Sequence, residues 1–201
     1  MTASVPHSSQ NSPDGTAARR PGRLIVVAGP GGVGKSTIVA ELRRRVPLHF
    51  SVSATTRPPR PGEVDGFHYQ FISHEEFRRR IREGELLEWA EFNGQLYGTP
   101  RRAVMAALAE GRDVLLEIEV QGARQIRQTM PDALMIFVAP PSIDTLRTRL
   151  EARADTSEAD IIAKLRIAEQ ELASAPELFD HVVVNDDVDR AVDEVLGILA
   201  A

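Results

Sequence analysis

Cysteine is absent from the 201 residues of this chain, which excludes disulfide bonds and thiolate-held metal sites and leaves the compartment to be argued from other features. Positive charge is not in excess either: 24 Lys and Arg stand against 29 Asp and Glu, for a net charge of −5 and a pI near 5.6. A broad basic surface for nucleic acid is therefore not expected, and any phosphate binding has to be local. No run approaches the ~18 apolar residues that a membrane span needs, and the N-terminus lacks the apolar core of a secretory signal. A soluble, cytoplasmic protein without membrane partners is the expectation. Internal repeats are missing too. Large apolar side chains are scarce in residues 1–22, which are rich in Ser, Pro, Thr, Gly and Ala. Such a segment cannot offset the entropy of ordering and reads as a disordered tail, with Arg19 and Arg20 as solvated charge.

What is present begins directly after the apolar run Leu24, Ile25, Val26, Val27, Ala28. There the chain reads Gly29, Pro30, Gly31, Gly32, Val33, Gly34, Lys35, Ser36, Thr37, a phosphate-binding P-loop between a strand and a helix. Glycine lets the backbone curl tightly and aim its N–H groups at phosphates. Lys35 supplies a compact positive charge, Ser36 a hydroxyl for Mg²⁺, and the helix starting near Lys35 turns its positive dipole end to the same anion.

Ile38, Val39, Leu42 and Val46 fall on one face of that helix, with Arg43 to Arg45 outside it. Strands are expected over Val114 to Val120, Leu134 to Ala139 and His181 to Val184, alternating with helical segments, the last around Val188 to Leu199. That alternation implies an α/β protein with a parallel sheet covered on both faces. Ser53 to about Arg101 differs: a Pro/Gly-rich loop, short β-like pieces over 67–72 and 86–92, and an Asn93-Gly94 turn suggest an inserted antiparallel subdomain. Ser73 and Glu76 read as a capping box for a helix carrying Phe77 and Ile81. Thr99 reads as a second cap with Pro100 at the first helical position, and Arg78 to Arg80 as a solvated face.

Arg57 and Arg60 stand in the proline-stiffened loop, where two guanidinium forks suit a phosphate and the phenols of Tyr69 and Tyr97 can donate to the same group. The alternative is that these arginines pair with Glu63 and Asp65 on the surface. Glu117 and Glu119 end an apolar strand two residues apart, on one face, at the crevice where open α/β sheets bind ligands. Arg149 and Arg153, four apart, share a helix face.

Taken in order, the P-loop, Ser53-x-Thr-Thr-Arg57-x-Pro-Arg60-x-Gly-Glu63, Leu87-Glu-Trp-Ala90, Tyr97-Gly-Thr-Pro100 and Val183-Val-Asn-Asp-Asp187 resemble the guanylate kinase family over residues 23 to 200. The resemblance implies a P-loop kinase core with a parallel five-stranded sheet flanked by helices (residues 23–52, 105–147 and 168–200). It adds an inserted antiparallel GMP-binding subdomain (53–104) and a short helical lid (148–167). It implies Mg-dependent phosphoryl transfer from ATP to GMP, and to dGMP, giving ADP and GDP in purine nucleotide metabolism and GMP recycling; whether the chain is a monomer or a homo-oligomer stays open.

Guanine presents N1–H and N2–H₂ donors beside an O6 acceptor, so its site needs acid and hydroxyl together. By the resemblance, Glu88 accepts from the base, Ser53 and Thr99 supply hydroxyls, Glu119 is a second acid near the exocyclic amine, and Gly122 follows in the family's pattern. Glu117 lies near Mg²⁺ and the phosphates, Asn185 near the adenine, and Lys35, Arg149, Arg153 and Lys164 act on the migrating phosphoryl group. Three positions depart from the family's usual residues: Glu119 for Asp, Ala154 for Gly, and Lys164 for a third lid Arg. Two other readings compete. A scaffold module of this family binds phosphorylated partners but typically lacks a complete P-loop, and a P-loop kinase for a sugar phosphate would not need Ser53, Glu88 and Thr99 together.

Overall fold

A computed structural model describes residues 21–92, 94–152 and 157–201. The expected tail over residues 1–20, Asn93 of the expected turn, and Arg153 and Ala154 of the expected lid lie outside the described residues. The N–H of Gly22 donates to the Leu108 carbonyl at 2.9 Å, so the folded body already includes Gly22, inside the stretch expected to be tail.

The chain runs β1 (Leu24–Ala28), α1 (Lys35–Arg45), β2 (His49–Phe50), β3 (Ala54–Thr55), β4 (Gln70–Phe71), α2 (His74–Arg82), β5 (Leu86–Phe92), β6 (Gln95–Pro100), α3 (Arg101–Ala109), β7 (Val114–Glu117), α4 (Val120–Thr129), β8 (Leu134–Ala139), α5 (Ile143–Glu151), α6 (Glu158–Leu178), β9 (His181–Val184) and α7 (Val188–Ala200). Five strands form a parallel sheet in the order β2-β7-β1-β8-β9, as expected. Every residue of β1 is buried, because alternate side chains feed two cores. Leu24, Val26 and Ala28 join residues of α3, α4 and α6 on one face. Ile25 and Val27 join α1 and α7 on the other.

A second, four-stranded sheet runs β4-β3-β6-β5. β5 and β6 pair antiparallel, as do β3 and β6, but β3 and β4 are parallel, so the inserted sheet is mixed rather than wholly antiparallel. The loop 56–69 causes this: it carries the chain back across the sheet before β4, which therefore enters beside β3 in the same direction. A small core of Ala54, Phe77, Leu86 and Leu96 holds α2 against this sheet. α5 and α6 share a third cluster built on Leu146, Leu150, Ile161, Leu165 and Ala168.

Four local expectations change. β7 stops at Glu117, since the Glu119 carbonyl is already taken at 3.0 Å by the Ala123 N–H in the first turn of α4. Glu119 is thus the residue capping α4, not a strand residue. Thr99 does not cap α3, because β6 continues through Pro100 and the Thr99 hydroxyl is committed to Glu88. The β-like piece over 67–72 contracts to Gln70 and Phe71. Finally, only Arg78 of the arginine run in α2 is a plain solvated charge; Arg79 pairs with Glu76 and Glu85, and Arg80 with Glu76. Ser73 caps α2 as expected, accepting from the Glu76 N–H at 3.1 Å.

Candidate active site

The P-loop leaves β1 at the C-terminal edge of the large sheet and closes at Gly34, whose φ of 102° an L side chain rarely adopts. A Cβ there would also lie 2.4 Å from the Asn185 amide nitrogen. That amide donates to the Val33 carbonyl at 2.7 Å. Arg149 donates to the same carbonyl at 3.0 Å and to the Asn185 carbonyl at 2.9 Å. Asn185 and Arg149 therefore brace the loop from behind, and the buried Asn185 Oδ1 has no hydrogen-bond partner among the described residues. Lys35 is only 8% exposed; its ammonium donates to the Gly29 and Pro30 carbonyls and stands 3.9 Å from Glu119. The Ser36 hydroxyl donates to the Glu117 carboxylate at 2.6 Å.

Facing the loop is a cavity of about 220 Å³ whose walls come from both sheets, among them Gly31, Ser53, Arg57, Glu88, Tyr97 and Glu119. A neighbouring cavity of about 390 Å³ shares Ser36, Ser53, Arg57, Arg60, Tyr69 and Glu117 and extends toward Phe50 and His68. Glu117 and Glu119 meet at the first of these cavities although only Glu117 belongs to the strand.

Glu88 lies directly opposite Thr99 in the β5–β6 pairing, accepts its hydroxyl at 2.6 Å, and is 3% exposed. Burial drives the Glu88 carboxyl up to about 7, against the pull of the Thr99 hydrogen bonds, and the Glu119 charge adds to the rise. Gly122 in the first turn of α4 is what lets Glu88 reach this position. A Cβ there would sit 2.1 Å from the Glu88 Oε2.

On the other wall, Arg57 is held by Glu63 at 2.8 and 2.9 Å and lies over the Tyr69 and Phe71 rings at 5.4 and 5.7 Å. The pairing with Glu63 is formed, but half-hidden rather than on the surface, and the arginine lines the cavity all the same. Asp65 takes a different part, accepting the Phe71 N–H at 2.9 Å. Arg60 and Tyr69 line the same walls, and Tyr69 and Tyr97 stand edge to face at 6.2 Å. Burial, reinforced by Glu117, pushes the Tyr69 phenol up to about 12, so it remains a donor.

Beyond Glu119 a third cavity, of about 170 Å³, runs to α6 and is lined by Gly31, Glu119, Lys164 and Glu171. Lys164 therefore faces the P-loop, whereas Arg166 is exposed. Glu171 escaped the sequence reading. One of its carboxylate oxygens is buried with no hydrogen-bond partner among the described residues, and burial together with Glu119 raises the carboxyl to about 7. The available signal was its spacing, seven residues after Lys164, which on a helix returns to the same face. Of the expected site residues, Ser53, Arg57, Arg60, Tyr69, Glu88, Tyr97, Glu117 and Glu119 line one cavity with Gly31, Gly32 and Ser36, the fully buried Thr99 meets it only through Glu88, Arg149 and Asn185 stand behind the loop, and Arg153 lies outside the described residues.

The chain has relatives among known proteins. A family profile described as guanylate kinase matches residues 21–201. The guanylate kinase of Rubrobacter xylanophilus is 55% identical over 181 residues, spanning 90% of this chain and 94% of that one. The guanylate kinase of Synechococcus sp. strain JA-3-3Ab is 51% identical over 191 residues, spanning 94% and 87%. The crystal structure of guanylate kinase from Anaplasma phagocytophilum superposes with a TM-score of 0.74 at 34% identity, covering 90% of this chain and 85% of its own.

Proposed function

The chain belongs to the guanylate kinase family of ATP:GMP phosphotransferases, and on that premise we propose that it moves the terminal phosphoryl group of ATP to GMP with Mg²⁺ as cofactor, giving ADP and GDP in the cytoplasm. The same site accepts dGMP, since the residues assigned to the acceptor address base and phosphate. Purine nucleotide metabolism and GMP recycling are the setting that this chemistry serves.

The observation that carries the reading is the buried Glu88, held by the Thr99 hydroxyl and lining one cavity with Arg57, Arg60 and Gly31 of the P-loop. An ionised Glu88 accepts from the N1–H and N2–H₂ edge of guanine. Adenine has an acceptor at N1 and would leave buried groups unpaired at about 1 to 3 kcal/mol each. Ser53 and Glu119 complete the base site, and Arg57, Arg60, Tyr69 and Tyr97 hold the acceptor phosphate.

The Ser36 hydroxyl and the Glu117 carboxylate, already hydrogen-bonded, are hard oxygen donors of the kind Mg²⁺ takes beside phosphate and water. When bound, Mg²⁺ supplies charge neutralisation at the donor phosphates. The chain's own part is positioning and electrostatics, because phosphoryl transfer asks little covalent help of a protein. Lys35 exchanges the Gly29 and Pro30 carbonyls for phosphate oxygens, and Lys164, with Arg153, meets the migrating group from residues 148–167, which act as the lid. Arg149 acts from its place on Val33, holding the loop that holds the phosphates.

Purified protein offered Mg-ATP with GMP, AMP, CMP or UMP in turn should use GMP far ahead of the others, and Lys35→Ala should abolish transfer without unfolding the chain. Comparable rates with AMP, or no transfer to any acceptor, would overturn the reading.

A further inference from the structure

We infer that Glu63 is a positioning residue for the acceptor: it grips the end of the Arg57 guanidinium and leaves the side edge of that fork for the phosphate. The inference rests on the proposed GMP kinase reading. A guanidinium carries five N–H groups, two on each terminal nitrogen and one on Nε. The two on Nη1 are spent on the Pro58 carbonyl at 2.8 Å and on Glu63 Oε2 at 2.8 Å, and one on Nη2 is spent on Glu63 Oε1 at 2.9 Å. The Nε–H and the second Nη2–H form the parallel pair on the side of the fork that matches two oxygens of a phosphate, and the Tyr97 phenol, which also interacts with this guanidinium, would share that phosphate. Tyr69, Tyr97 and Arg60 line the cavity with Arg57.

Glu63 is itself held. Its Oε2 also accepts the Arg60 backbone N–H at 2.6 Å, and Arg57 and Glu63 side chains are only 13% and 18% exposed. One carboxylate therefore ties the side chain of the first arginine to the backbone of the second within a single short loop. Its neighbours Arg57 and Arg60 keep the carboxyl ionised, down at about 2, through the whole working range. The stacking of Arg57 over Tyr69 and Phe71 fixes the plane of the guanidinium, and Glu63 fixes its rotation within that plane.

The opposite role is also chemically coherent: a carboxylate is a phosphate mimic, and Glu63 would then occupy the fork as a competitor that GMP must displace. The two roles predict opposite signs. Steady-state kinetics of wild type, Glu63→Gln, Arg57→Lys and the double variant separate them. For a positioning residue, Glu63→Gln raises the GMP KM about tenfold with the ATP KM unchanged and kcat little altered, because only ground-state seating of the acceptor is lost. In the Arg57→Lys background, Glu63→Gln then adds little, since the group it orients is gone. A lowered GMP KM would make Glu63 a competitor and overturn the inference. So would an unchanged GMP KM, an equal rise in the ATP KM, or the same penalty in both backgrounds. Failure of the underlying reading shows elsewhere, in wild type that does not phosphorylate GMP at all.

Discussion

On the proposed function Glu88 is ionised when it accepts from guanine, yet burial holds its carboxyl up at about 7. GMP binding below neutrality therefore has to expel a proton, and kcat/KM for GMP should fall toward tenfold per pH unit as pH drops below about 7. Stability runs the other way. The folded pKa lies above the ordinary 4.5, so the contribution of neutral Glu88 is full below about 4.5 and is lost as pH rises through about 7. Glu171 is raised in the same direction, so the wild-type profile alone does not assign the effect. Glu88→Gln does: GMP use should be impaired, and its decline below about pH 7 should flatten, whereas an unchanged acid limb would move the titration to Glu171. The sequence identified Glu88 through its motif, but neither its depth nor its bond to Thr99 was legible, because both depend on the β5–β6 register. Glu171 carried no motif in the residues alone, and only the fold brings it to the cavity it lines with Glu119.

Within α6, Lys164 and Glu171 share the face that lines the cavity beside Gly31, while Arg166 lies about 200° away from Lys164 around the helix and is exposed. This bears on which cation takes the place that the resemblance gives to a third lid arginine. In single-turnover measurements Lys164→Ala should slow transfer by roughly tenfold or more, Lys164→Arg should keep or improve the rate, and Arg166→Ala should leave it near wild type. A loss confined to Arg166→Ala would require α6 to turn before catalysis and would remove Lys164 from the site. Other elements were legible to different depths. β8 falls where its apolar run predicts it, because a strand buried on both faces writes itself as continuous hydrophobicity, and β9 is found as expected although only Val183 of this edge strand is buried. β7 was overextended to Val120 for the same reason: Ile118 and Val120 are buried too, but in the turn and helix that follow the strand.

Over the whole molecule, the proposed acceptor site joins two sheets whose cores differ but touch at Leu87 of β5, which packs into the large one. Glu88 comes from the small sheet and Gly122 from a helix packed on the large one, so close together that a Cβ on Gly122 would collide with the Glu88 carboxylate. A ligand gripped there should tie the two parts together. GMP is expected to slow amide hydrogen exchange in β5, β6 and the first turn of α4 together and to raise Tm. Protection confined to the small sheet would place the base away from the Glu88–Gly122 contact.

By itself the sequence determined the P-loop, the α/β alternation, the family and the chemical types gathered at the acceptor site. These follow from local backbone demands and from residue identity at short spacing, both of which are written along the chain. The tertiary structure alone decided what those types do in place. It put Arg149 and Asn185 behind the loop on the Val33 carbonyl, committed the Thr99 hydroxyl to Glu88 instead of a helix end, and paired Arg57 with Glu63 at the cavity wall. Hydrogen-bond partners and desolvation depend on distances between residues far apart in the chain, and only the assembled sheets and helices set those distances.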